Sequence, residues 1–120
     1  MKTHFPENVF QGLPKDLSQE VIDIIAQSDQ IRIERIVSQG HKTPPDYWYD
    51  QDEHEFVLVL QGKAGLIFAE EEFLYELAPG DYIVIPARKR HRVEWTVPDE
   101  ITIWLTVYFS GHNCQDQKYI

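Results

Sequence analysis

Residues 48–62, WYDQDEHEFVLVLQG, decide how this 120-residue chain is read. From Glu55 onward the run alternates, so Glu55, Val57 and Val59 share one face of a strand while His54, Phe56 and Leu58 share the other; Gly62 then breaks it. A carboxylate at the head of an apolar strand face is costly to bury unless it is paired or hydrogen-bonded. The stretch therefore predicts a strand and also a partner for Glu55. A second stretch, GDYIVIPARKRHRVEW at 80–95, offers one: strict alternation in its last part groups His91, Val93 and Trp95 and leaves Arg92 and Glu94 on the opposite face. A carboxylate and an imidazole can thus meet inside an otherwise apolar cavity.

Working outward, the same β-branched and aromatic texture recurs in IRIERIV, KAGLIFA, EFLYELA, DYIVIPA and ITIWLTVYF, separated by Gly, Pro and acidic turns. Seven or so short strands at near-regular spacing predict an all-β sandwich or barrel. The runs VLVL and YIVI are apolar on both faces, which a strand between a barrel interior and a covered outer surface requires. A homodimer would supply that cover. In APGD at 78–81, Pro79 and Gly80 suit a type II turn. Upstream, DLSQEVIDIIAQSD places Asp16 as an N-cap with Gln19 three residues on, and Leu17, Val21, Ile24 and Ile25 on one face. That spacing predicts a short helix. The expected organisation is a lead-in with this helix over 1–30, a β-barrel over 31–109 and a polar tail over 110–120.

Composition narrows the function. With 42% hydrophobic and 26% charged residues the chain is of the folded kind. A net charge of -9 argues against nucleic acid and anionic membrane surfaces as partners, since both reward basic patches. The single cysteine, Cys114, allows no intrachain disulfide and suits a reducing compartment. No apolar run reaches bilayer length and MKTHFPENVF lacks a signal-peptide core, so a cytoplasmic location is expected.

Gly80, Pro86 and His91, together with Glu55 followed after six residues by Gly62, resemble the two short motifs of the cupins. Arg88 stands where that family's second motif has its inner glycine, and Trp95 where it ends in asparagine. The resemblance covers about residues 31–109 and implies a double-stranded β-helix, or jelly-roll barrel, that in many members holds a metal. Counting back from Glu55, the family's two histidine positions fall on Trp48 and Asp50 or on Tyr49 and Gln51, and a small bacterial subfamily is similar in carrying WYDQ there. The resemblance implies a divalent metal, Zn, Mn, Fe or Ni, on His91, Glu55 and Asp50, a mixed nitrogen and oxygen set. Without a metal, Glu55 and His91 form a buried hydrogen-bonded pair.

Around that pair, Tyr49 and Tyr108 bring hydroxyls suited to moving a proton, and Trp48, Gln51, Trp95 and Arg88 are candidate pocket residues for a small-molecule ligand. The basic run RKRHR at 88–92 is a candidate anion site. Two functions remain open. One is a metal-dependent enzyme, isomerase- or oxygenase-like, acting on a small polar or sugar-like molecule. The other is a non-catalytic, small-ligand-binding dimer in which the metal site has degenerated.

Overall fold

The computed structural model describes residues 5–111, and Cys114 with most of the polar tail lies outside them. Eight strands follow in order: β1 Val21–Gln27, β2 Ile31–Ser38, β3 His54–Gln61, β4 Ala64–Phe68, β5 Leu74–Leu77, β6 Tyr82–Ile85, β7 His91–Thr96 and β8 Thr102–Phe109. They form a five-stranded sheet, β1-β2-β8-β3-β6, and a three-stranded sheet, β5-β4-β7. All pairings are antiparallel. The seven strands expected from sequence are all present.

The expected helix is not. Residues 21–27 form an edge strand paired with β2, with Ile22 opposite Ile36 and Ile24 opposite Glu34. The physical reason lies in VIDII, where four β-branched residues in five carry restricted χ1 angles that suit a pleated strand better than a helix. The side chain of Asp16 does accept a backbone N–H, but from Ser18 at 2.9 Å, which closes a local turn rather than starting a helix.

Register then fixes which side chains look inward. Across the large sheet, Ile22, Ile36, Trp104 and Val59 lie in one row, and Glu34, Thr106, Val57 and Ile83 in the next. Tyr108, Glu55 and Ile85 make a third. The apolar members of these rows toward β3 join Leu66 and Phe68 of β4 in a core of Val57, Val59, Ala64, Leu66, Phe68, Leu77, Ile85 and Trp104, with Ile36 and Ile83 packed against it. Full burial of each large apolar side chain contributes on the order of 1.5–3 kcal/mol. The core occupies one part of the barrel and leaves the remainder to polar groups.

On the outer face of the same sheet stand Ile33, Phe56, Leu58, Val84, Leu105 and Val107, all only partly covered. Arg35 also points outward. Its guanidinium is held by Asp23 and by the carbonyls of Val9, Gln11 and Gly12, so it pins the N-terminal segment to the sheet.

Candidate functional site

A cavity of about 130 Å³ opens between the sheets, lined by apolar walls and by Glu20, Tyr49, Gln51, Glu55, His91, Thr106 and Tyr108. That is room for several waters or a small organic molecule. At its floor His91 Nε2 lies 3.3 Å from Glu55 Oε1, with both side chains buried. Gln51 Nε2 donates to the same carboxylate oxygen at 3.2 Å. Tyr108 is the register partner of Glu55 on β8, and its side chain lines the same cavity. Glu55 is thus met by the Gln51 amide and the His91 imidazole.

The orientation of His91 is set from behind. Nδ1 lies 2.9 Å from the Lys89 carbonyl, an acceptor only, so Nδ1 carries the proton and Nε2 is turned to the carboxylate. A stacked Tyr49 ring, 5.7 Å centroid to centroid, covers one face of the imidazole. Tyr49 is placed by a two-way backbone bridge with His91, and Gln51 by its carbonyl, which accepts the Arg88 N–H. Residues 49–51 are laced to the start of β7 in this way. Burial raises the Tyr108 hydroxyl far above its ordinary pKa of 10.0, and the charges of Glu55 and Glu34 reinforce it. Tyr49 is raised too, first by burial and then by Glu20. Both phenols therefore stay protonated at neutral pH and act as donors.

Of the predicted residues, the structure brings together His91, Glu55, Tyr49, Tyr108 and Gln51, and it separates the others. Asp50 points away from the cavity to Arg88 Nε at 3.1 Å, which removes it from His91 and Glu55. The reason is alternation: Tyr49 and Gln51 face in, so Trp48 and Asp50 cannot. Trp48 instead packs under the Arg92 guanidinium at 4.4 Å. Trp95 leaves the row of His91 because β7 slips against β4 between Gly65 and Leu66. Its indole covers Gly65, where a Cβ would collide with Nε1. Arg88 is largely exposed and absent from the cavity lining. The basic run is no open anion site either, for Arg88, Lys89, Arg90 and Arg92 are each paired with a carboxylate of this chain.

Sequence reasoning missed two lining residues. Glu20 accepts from Ser38 Oγ at 2.6 Å at the cavity mouth; the helix expectation gave it no inward role. Thr106 is 1% exposed and, among the described residues, its Oγ1 is the buried side-chain polar atom left without a hydrogen-bond partner. The alternation of ITIWLTVYF together with an inward Tyr108 could have placed Thr106 there.

The cupin domain family matches residues 34–108, the span that carries Glu55, His91 and Tyr108. The chain belongs to the cupins. Among solved structures this cupin is similar to a candidate mannose-6-phosphate isomerase from Ralstonia eutropha JMP134, 34% identical, with a TM-score of 0.86 over 90% of this chain and 100% of that one. It shares its fold with a cupin superfamily protein from Desulfitobacterium hafniense DCB-2, 20% identical over 92% and 95% of the two chains, TM-score 0.74. It does so also with the polyketide cyclase RemF from Streptomyces resistomycificus, 19% identical over 78% and 67%, TM-score 0.66. No curated protein matches it.

Cupins commonly bind divalent metals, and the donors here can be tested against one. Among the described residues no three of His, Cys, Asp and Glu converge. At the inward positions Tyr49 is a protonated phenol, and Gln51 turns its NH₂ to Glu55. That leaves one imidazole and one carboxylate, and Oε1 of the carboxylate already accepts from the Gln51 amide. The set does not fit a divalent metal of the kind the family holds.

Proposed function

We propose that this cupin binds a small polar molecule in its barrel and moves a proton on it, an isomerase-like reaction carried by protein groups. The observation behind this reading is the buried contact between His91 and Glu55 at the floor of a cavity flanked by two protonated phenols. A hydroxy-carbonyl ligand seated against the pair would lose the proton on the carbon beside its carbonyl to the basic member. A phenol would donate to the carbonyl oxygen, the substrate's neighbouring hydroxyl would return a proton to that phenolate as it becomes the new carbonyl, and delivery of the abstracted proton to the former carbonyl carbon would complete the transfer.

The apolar walls exclude water from that exchange. General acid–base groups of this kind contribute roughly 10²–10⁴-fold. Short aldoses and hydroxyketones incubated with the protein in D₂O are expected to take up deuterium beside the carbonyl, in the presence of a chelator, and Glu55→Gln is expected to slow uptake by about 10²-fold. Uptake that requires added metal would restore the metal-dependent alternative. Ligand binding with no exchange would support the non-catalytic one.

The homodimer belongs to the same proposal. Phe56, Leu58, Leu105 and Val107 form a continuous apolar surface on the outer face of the large sheet, with Tyr82 at 65% and Ile31 at 45% exposure at its borders. Faces of this size and polarity are normally covered. Light scattering on the purified protein is expected to give twice the chain mass, and Leu58→Glu with Leu105→Glu to give the monomer.

A further inference from the structure

The cavity's charge selects the ligand further, and this step rests on the binding reading above. The lining contains two carboxylates, Glu20 and Glu55, and no Lys or Arg. Arg32, which lies over the Tyr108 ring at 4.4 Å, is held by Glu34 at 2.7 Å and by Glu53, and it does not line the cavity. The other nearby cations are likewise paired outside it: Arg92 with Glu94, Arg88 with Asp50 and Lys89 with Glu71. His91 offsets Glu55 when the pair holds its proton. Nothing in the lining offsets Glu20, whose carboxylate is oriented at the mouth by the fully buried Ser38.

A phosphate or carboxylate entering this space would meet negative charge with, among the described residues, no guanidinium or ammonium in the lining to receive it. A cation would meet carboxylates and the aromatic side chains of Tyr49, Tyr108 and Trp104. Thr106 Oγ1, buried and unpartnered against the same space, marks where a polar atom of the occupant belongs.

We infer that the cavity takes a small amino-substituted hydroxy-carbonyl molecule, its ammonium toward Glu20 and a polar atom at Thr106, and that it rejects phosphorylated and carboxylated molecules. The raised hydroxyls of Tyr49 and Tyr108 agree, because both report the negative field of the carboxylates in addition to burial. A sugar phosphate, the substrate class in the name of the Ralstonia structure, is thereby set aside for this chain.

Four probes with one carbon skeleton test the charge alone: n-butylamine, n-butanol, butyrate and butyl phosphate, titrated calorimetrically into the wild-type protein at neutral pH. The amine is expected to bind roughly 10-fold more tightly than the alcohol, with the two anions weaker than both. Glu20→Gln should remove most of the amine's advantage and leave butanol unchanged, and Thr106→Val should weaken butanol, whose hydroxyl is free to sit at Thr106, while sparing the amine held at Glu20. Butanol binding with no gain for the amine, or tighter binding of butyrate or butyl phosphate, overturns the inference while leaving the cavity reading intact. Binding of none of the four overturns the cavity reading itself.

Discussion

Gly62→Ala is expected to lower unfolding stability by about 3 kcal/mol or more, one of the two largest effects of a single methyl or side-chain change in this chain. Two costs add. Gly62 sits at φ +82° in the short connection between β3 and β4, a region where a side chain costs on the order of 1–2 kcal/mol. The new methyl would also collide with Thr102 Oγ1 and lie 2.6 Å from Thr102 Cα. Thr102 Cα belongs to the backbone of β8, held in register with Ser38 of β2, so it cannot swing aside as a side-chain tip could. Gly80 provides the control: its φ is +93°, yet a Cβ there meets nothing within 4 Å, so Gly80→Ala carries the conformational cost alone. Urea denaturation of both variants separates the terms. Equal losses would show that the connection relaxes away from β8.

Much of the barrel was legible in the sequence because its strands are β-branched runs punctuated by Gly and Pro, and these signals are local. PGD is a clear case: Gly80 takes positive φ and Asp81 N–H returns to the Ala78 carbonyl at 2.9 Å. β1 was not legible. Its Ile22 and Ile24 remain more than half exposed, so no buried face imposes the alternation by which a strand is recognised, and the spacing of Leu17, Val21, Ile24 and Ile25 imitates a helix. Pairing with β2 decides the matter, and pairing is a tertiary fact.

The site was legible in part for the same reason. Alternation along β3 placed Glu55 inward correctly, but outside a strand the phase of residues 48–51 depends on the bridge between Tyr49 and His91. That bridge chose Tyr49 and Gln51 over Trp48 and Asp50. For Trp95 the alternation rule itself failed, because the slip of β7 against β4 beyond Val93 changes the side on which the indole emerges. Arg88 carries a related lesson. At φ 68° it occupies the conformation for which the resembling motif has glycine, and its N–H to the Gln51 carbonyl at 2.6 Å holds it there.

The second large effect concerns the floor of the cavity. His91→Leu is expected to cost about 3 kcal/mol, because it leaves Glu55, 8% exposed, without its buried imidazole partner. Glu55→Leu should cost a similar amount, about 2–4 kcal/mol, since the Gln51 amide loses its acceptor and the buried His91 imidazole its polar partner. The double variant Glu55→Leu/His91→Leu is expected to be far more stable than the sum of the singles predicts, within about 1 kcal/mol of wild type, because two apolar side chains beside Val57, Ile85 and Phe68 replace a pair whose desolvation cost rivals its attraction. Deuterium uptake from D₂O should be absent in all three. Stability restored with exchange lost would identify the pair as retained for chemistry. A double variant as unstable as the sum of the singles would instead make the pair a structural element of the barrel, and an exchange rate that survives in it would move the reacting groups to Tyr49 and Tyr108.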